Sequence, residues 1–451
     1  MKTTQTPGPW AEQFLPLPTV DDIRKRVTVT VTPTIGLFKQ PIDVARKTFD
    51  QALGALYLPS DEDLRILLRL YTAAYVYARS TYTTVQAFNA RCQEPKHVYP
   101  PEADVICLTG PAGAGKSAII AALERIRRFP STLLINPDAD PFRFKPFIPF
   151  KMRSKIGQKL TAPLVESLYD RPGRTVVMDD VERELVKACH RFGACMLLPD
   201  ELQHVTHSQD ANALVTKTLL GFSYLGPPVT YVANYSLVWR LVRRNQEDTQ
   251  RLIADSELVG ARMPDLPYLK RLFAALIATA PDCFDLDADA AAEAFGMRLL
   301  GNRRLIRALL RFAFILGHQV GRKVDIVLLD AAYNSEKFTK PREDALETLR
   351  LIADPSAKTS RPDLRCPFEP EGSVVLQARE AEAAERDRQI AAAAYRARLP
   401  VAERGAFDAA YVGLVNTTAS KDAIKGKSTT SATVSNLLKN AAKFREGLNK
   451  R

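Results

Sequence analysis

The chain has 451 residues, enough for two to four domains. At 46% hydrophobic and 25% charged residues it is neither a disordered nor a fibrous sequence. Its net charge of +12 favours polyanionic partners, nucleic acid before anionic membrane. The six cysteines, at 92, 107, 189, 195, 283 and 366, make no C-x-x-C pair, and the five histidines add no zinc spacing. They read as reduced thiols of a cytosolic protein. The first residues, MKTTQTPGPW, lack the apolar core of a signal peptide, and no apolar run is long enough to span a membrane. A bacterial cytoplasmic protein with no membrane partner is expected.

Residues 1–40 are rich in Pro and Thr and read as an extended arm. The alternation Val27-Thr-Val-Thr-Val31 suggests a short strand, but Pro16, Pro18 and Pro33 favour an arm. It is either a flexible tail or a segment that docks on a neighbouring subunit or partner. Residues 41–98 read as a helical extension. Pro41 suits a helix start, and Ser60-Asp-Glu-Asp63 suits a cap before Leu64, Leu67, Leu68, Tyr71, Tyr75 and Val76 at helical spacing. That stripe reads as buried; the alternative is that Tyr71, Tyr75, Tyr77 and Tyr82 beside Arg65, Arg69 and Arg79 stack on bases.

Residues 99–264 read as an α/β nucleotide-binding core. The apolar run Val105–Leu108 predicts a buried parallel strand. It is followed by Gly110-Pro111-Ala112-Gly113-Ala114-Gly115-Lys116-Ser117-Ala118, which fits G-x-x-x-x-G-K-[ST] and opens a helix. Glycines let the backbone curl around a phosphate and aim N–H groups inward, and the helix N-terminus adds partial positive charge. Lys116 would reach the β- and γ-phosphates of ATP, and Ser117 would offer its hydroxyl to Mg²⁺.

Further on, residues 140–159 carry Arg143, Lys145, Lys151, Arg153, Lys155 and Lys159 against one acid, Asp140. This basic stretch is either a solvated face or a grip on a phosphate backbone, with Lys151, Arg153, Lys155 and Lys159 as the DNA-binding candidates. Ala194–Pro199 is an apolar strand ending in Asp200-Glu201. Carboxylates there sit at the mouth of a parallel sheet. Asp200 would hold the metal through water, and Glu201 would orient and polarise the attacking water. The strand Pro228–Ala233 ends in Asn234, either a γ-phosphate sensor or an ordinary turn residue. The helices that follow carry Arg240, Arg243, Arg244 and Arg251, suited to a finger reaching a neighbour's γ-phosphate.

Residues 265–335 read as a small helical lid, with helices at 268–280, 288–295 and from 301. Arg304, with Arg303 second, is the lid arginine expected to reach the phosphates. Residues 336–451 read as a linker, an exposed helix over 377–398 and a basic tail whose last 31 positions hold eight basic residues against two acids.

Together these features resemble the AAA+ ATPases: P-loop, Asp-Glu strand end, Asn sensor, trans arginine and arginine-bearing lid. Asp200-Glu-Leu-Gln-His204, the run from Asn234 to Leu241 and Asn245-Gln-Glu-Asp-Thr-Gln-Arg-Leu252 resemble the TnsC/TniB group of transposition ATPases. That resemblance makes Arg251 the preferred finger. It implies a homo-oligomeric ring or filament, about hexameric per turn, on double-stranded DNA. It further implies recruitment by a target-selection protein, recruitment in turn of transposase subunits, and disassembly on ATP hydrolysis. Two other readings share parts of the sequence. One is a replication initiator or helicase loader of the IstB or DnaC kind. The other is a signalling or defence ATPase, for which neither effector domain nor sensor repeat is seen.

Overall fold

The computed structural model describes residues 7–93, 100–134, 140–152, 161–170, 181–202, 211–260, 265–369 and 372–398. It divides into two compact units. One comprises Met1–Val29, Tyr57–Ala261 and Thr359–Glu369, the other Thr30–Leu56, Arg262–Lys358 and Pro370–Arg451.

The first unit is built on a parallel sheet. Its strands are β1 (Val105–Gly110), β4 (Phe147–Lys151), β5 (Met196–Asp200), β6 (Val229–Asn234) and β7 (Ser256–Leu258), in the order β4-β5-β6-β1-β7. A separate antiparallel pair, β2 (Thr132–Leu133) and β3 (Phe142–Arg143), stands outside it. β1, β5 and all but the last residue of β6 are buried, as continuous apolar runs in a sheet covered on both faces require.

The helices in chain order are α1 (Pro9–Glu12), α2 (Val20–Val27), α3 (Ile42–Ala55), α4 (Asp61–Thr81), α5 (Val85–Gln93), α6 (Lys116–Ile126), α7 (Ala162–Tyr169), α8 (Val181–Arg191) and α9 (Ala211–Ser223). They continue with α10 (Tyr235–Val242), α11 (Gln246–Ile253), α12 (Leu266–Ile277), α13 (Ala288–Ala291), α14 (Arg303–Val320), α15 (Ile326–Asn334), α16 (Thr339–Ala353) and α17 (Gly372–Arg398).

The N-terminal segment differs from the extended arm expected for residues 1–40. Thr19 and Asp22 close a capping box at the start of α2, which buries Ile23 and Val27. Trp10 and Phe14 are fully buried in the same chain's core. Trp10 stacks on Phe88 with ring centroids 4.2 Å apart, and Gly193, at φ 58°, leaves the space its indole fills. The expected strand at 27–31 is reduced to one antiparallel bridge, Val29 with Tyr57, because α2 runs through Val27 on one side and Pro33 stands two residues beyond Val31 on the other.

Helix α4 begins at the expected cap, with Ser60 and Asp63 bonding reciprocally. Its tyrosines are structural and not base-stacking platforms. Tyr71 and Tyr82 are fully buried and donate to Phe14 O (3.0 Å) and Ala194 O (2.8 Å). Arg65 and Arg69 are engaged as well. Arg65 Nη2 lies 2.6 Å from Glu257 Oε2 on β7, and Arg69 bonds both Glu257 and Asp255. Burial alone would raise the Glu257 carboxyl, but hydrogen bonds from Arg65 and Arg69 hold it below its ordinary value.

The second unit contains the helical lid and is larger than the expected 265–335. Helix α16 extends it to Ala353, with Ala345 and Leu349 buried four residues apart, and α17 packs on α16. Helix α3 belongs here too, not with α4. Phe49 of α3 packs on Phe284 and on Phe314 of α14 at 5.7 and 4.8 Å, and Arg307 Nη2 donates to Leu56 O at 2.7 Å. The expected basic tail lies outside the described residues, and the expected exposed helix over 377–398 falls within α17.

Candidate nucleotide site

The loop between β1 and α6 takes its shape from two glycines with positive φ, Gly113 (85°) and Gly115 (113°), a backbone region that side chains resist. Gly115 is the N-cap of α6, so Lys116 and Ser117 form its first turn. Ser117 is exposed at this helix start, whereas Lys116 is buried, its ammonium donating to Gly110 O (2.8 Å) and Pro111 O (2.9 Å).

Gly110 has a different reason to be glycine. A Cβ there would stand 2.2 Å from the carbonyl oxygen of Val259, the residue just past the neighbouring β7. Close packing of β1 against β7 by itself imposes the residue. Gly110→Ala is expected to lower stability by about 3 kcal/mol and to displace the loop. Thermal unfolding and nucleotide titration of the variant check this; wild-type values in both would refute it.

The strand order decides what else stands beside the loop. β6 lies between β1 and β5. Asn234, its last residue, is in register with Gly110. Asn234 is also the N-cap of α10, yet its side chain makes no capping bond and is half-exposed. One strand further, β5 ends in Asp200, which is buried, and Glu201 just past it is half-exposed. Glu201 has φ 61°, left-handed for a residue with a Cβ, and its N–H donates to Asp200 Oδ1 at 2.8 Å. Such strain costs roughly 1–3 kcal/mol and gathers at functional sites.

Gly110 to Ala118, Asp200, Glu201 and Asn234 therefore come together at the carboxyl ends of adjacent strands, the edge where open α/β sheets take ligands. Positive-φ glycines, a lysine ammonium and a helix N-terminus suit a polyphosphate. The Ser117 hydroxyl and Asp200 carboxylate are hard oxygen donors that suit Mg²⁺, which keeps several waters of its own. Two protein oxygens are a sparse set, and no group of three or more His, Cys, Asp or Glu that could hold a metal occurs among the described residues.

Three expected residues need separate statements. Lys151, expected to grip DNA, lies at the end of β4 in register with Asp200, and its Nζ is 4.0 Å from Glu201 Oε1. Register, invisible in the local basic run, puts it there. Its companions Arg153, Lys155 and Lys159 lie outside the described residues. Arg251, on α11, is engaged within its own chain. It is 2.9 Å from Glu247 Oε1 and 3.8 Å from Glu102 Oε1, and it donates to the Tyr224 hydroxyl at 3.1 Å. Glu102 foremost raises its pKa further. Arg244 pairs with Asp248, while Arg243 is exposed and forms no ion pair among the described residues. In the lid unit the two adjacent arginines separate. Arg303 is buried and donates from Nε to the Tyr268 hydroxyl at 2.9 Å. Arg304 is exposed on the first turn of α14, where Asn302 caps the helix through the Arg304 and Leu305 N–H groups.

The β1 loop carries the P-loop sequence and a strand intervenes between it and the acid pair. The fold is that of the AAA+ P-loop ATPases. No family model matches the chain, and no curated protein matches it in sequence. Among solved structures it is similar to domain III of the Thermotoga maritima replication initiation protein DnaA. The identity is 13%, covering 59% of this chain and 92% of that one, with a TM-score of 0.33. It is also similar to the Aeropyrum pernix ORC1 protein in complex with DNA, at 16% identity, 76% and 70% coverage and a TM-score of 0.33. A third is NtrX from Brucella abortus in complex with ADP, at 16% identity, 68% and 74% coverage and a TM-score of 0.29. These superpositions are loose, and the fold is read from this chain's own strand order and loop.

Proposed function

We propose that the protein is an ATP-hydrolysing AAA+ ATPase that assembles on double-stranded DNA and regulates transposition. The observation that carries the ATPase reading is the strained Glu201 following Asp200, two strands from the P-loop with Asn234 between them. In this reading the Gly113–Gly115 backbone cradles the phosphates and Lys116 leaves its loop carbonyls for the β- and γ-phosphate oxygens. Ser117, and Asp200 through water, would hold Mg²⁺, which when bound would neutralise charge developing on the phosphates. Glu201 orients and polarises the attacking water, and Asn234 bonds that water or the γ-phosphate.

A neighbour's arginine would complete the charge stabilisation; Arg251 is the residue proposed, with Arg243 and Arg244 behind it. The need for a neighbour would make turnover depend on assembly, and the +12 charge supports DNA as the scaffold. The transposition assignment, with a target-selection protein and transposase subunits as partners, rests on the stretches that resemble the TnsC/TniB group. Turnover measured with and without duplex DNA, beside imaging in a non-hydrolysable ATP analogue, tests the reading. DNA-stimulated hydrolysis with rings or filaments on DNA is expected; turnover indifferent to DNA, with no assembly, would discard it.

A further inference from the structure

The C-terminal ends of two helices meet on one face of the nucleotide-binding unit. Helix α2 ends in Arg24-Lys25-Arg26-Val27, and α6 ends in Arg125-Ile126 and runs straight into Arg127-Arg128. Contact between them is direct: Arg26 Nη1 donates to Ile126 O at 3.1 Å, and Ile23, Val27 and Ile126 share one buried cluster. Arg125 lies 5.2 Å over the ring of Tyr57. Arg127 and Arg26 both lie near the buried Tyr71 hydroxyl. Arg26, Arg125 and Arg127 thus come together from two distant stretches of sequence, with Arg24, Lys25 and Arg128 adjoining them along the chain.

Four carboxylates answer the six; one is Glu124, exposed on α6 beside Arg125. Asp61 and Asp21 engage Arg24, at 3.1 and 3.9 Å. Asp22 is held in the capping box by Thr19 and offsets Lys25 and Arg26 only in part. Lys25, Arg26, Arg127 and Arg128 form no ion pair among the described residues. Compensation of the two helix dipoles accounts for one or two cations, at roughly 0.3–1 kcal/mol each, but not for four that repel one another. The face also lacks an apolar anchor. Val20, 40% exposed, is at the opposite end of α2, and no large apolar residue at 21–28 or 124–129 is among the exposed ones. That disfavours a membrane surface, which takes apolar side chains as well as charge. Guanidinium forks fit phosphate oxygens two at a time.

We infer that the Lys25, Arg26, Arg127 and Arg128 face binds the phosphate backbone of duplex DNA, as a contact surface separate from Lys151. This rests on the DNA reading proposed above and adds a second place where the duplex is held. Contact is with backbone alone, so binding here is blind to sequence and weakens steeply with salt.

The test is binding of a short labelled duplex by the full chain across a salt series, by fluorescence anisotropy. It compares wild type, the double variant Lys25→Glu/Arg128→Glu, and Lys151→Ala. Arg26 and Arg127 are left in place because each also serves the helix junction. The double variant should bind roughly tenfold more weakly, and its log affinity against log salt should flatten by about 1.8, about 0.9 for each phosphate released. Lys25→Gln/Arg128→Gln should show the same change of slope and covers the case in which charge reversal lowers the melting temperature. Wild-type affinity and slope in both variants overturn the proposal. If Lys151→Ala alone loses DNA, the function proposed above stands and this face does not belong to it. Failure of the wild type to bind duplex at any salt sinks both readings. Loss of binding to phosphatidylserine vesicles with DNA affinity intact would give the face to a membrane and overturn the proposal.

Discussion

Lys116→Ala is expected to abolish measurable ATP binding. The lysine supplies the only ammonium of the P-loop, and its bonds to phosphate oxygens are charge-assisted hydrogen bonds worth about 1.5–3 kcal/mol each. Removing two such bonds together weakens binding by roughly a hundredfold or more. Truncating the side chain also releases Gly110 O and Pro111 O, which the ammonium now satisfies inside the loop. Both effects fall on the loop and leave the apolar core intact. Calorimetric titration with ATP, beside a thermal melt without nucleotide, separates them. A folded variant with wild-type affinity would remove the P-loop reading altogether.

The second large effect is expected at Glu201. Glu201→Gln preserves size and the backbone bond to Asp200 Oδ1, yet amide replaces carboxylate where the water must be polarised. General-base assistance contributes roughly 10²–10⁴-fold, and turnover should fall by that factor with ATP affinity kept. The variant should therefore accumulate in its ATP-bound, assembled form. Single-turnover hydrolysis beside size-exclusion chromatography in ATP reads both quantities. Hydrolysis at the wild-type rate would mean that another group activates the water. Lys151 adds a detail: the variant also loses the charge that stands 4.0 Å from that ammonium.

The nucleotide loop was legible because its determinants are local. Gly113, Gly115, Lys116 and Ser117 lie within five consecutive positions, and an apolar run before and a helix after give the context. Asp200 and Asn234 were legible for a related reason, since each ends an apolar run long enough to be a strand. What escaped depends on partners far along the chain. The reason for Gly110 is the carbonyl of Val259, and the place of Lys151 beside Glu201 follows from the β4–β5 register. Proline content suggested an extended arm at the N-terminus, where Trp10 and Phe14 instead plug the core. The capping pattern Thr19-x-x-Asp22 ahead of Ile23 and Val27 was the available sign of α2. Arg303 and Arg304 were indistinguishable as a pair of letters, and only the face of α14 each occupies tells the buried one from the exposed one.

The interleaving of the two units bears on how the protein can be dissected. The second unit draws on 30–56 as well as 262–358, and the first takes back 359–369, where Trp239 donates to Arg365 O at 3.0 Å. A fragment cut as 262–358 would leave Phe284 and Phe314 without Phe49, and Arg307 without the carbonyl it holds. A fragment ending at 261 would strip the ring of Trp239 of the carbonyl its N–H bonds. Neither unit is a contiguous module that gene shuffling could transplant with a single pair of cuts. Changes of partner specificity must instead be acquired residue by residue on the surfaces the two units already present.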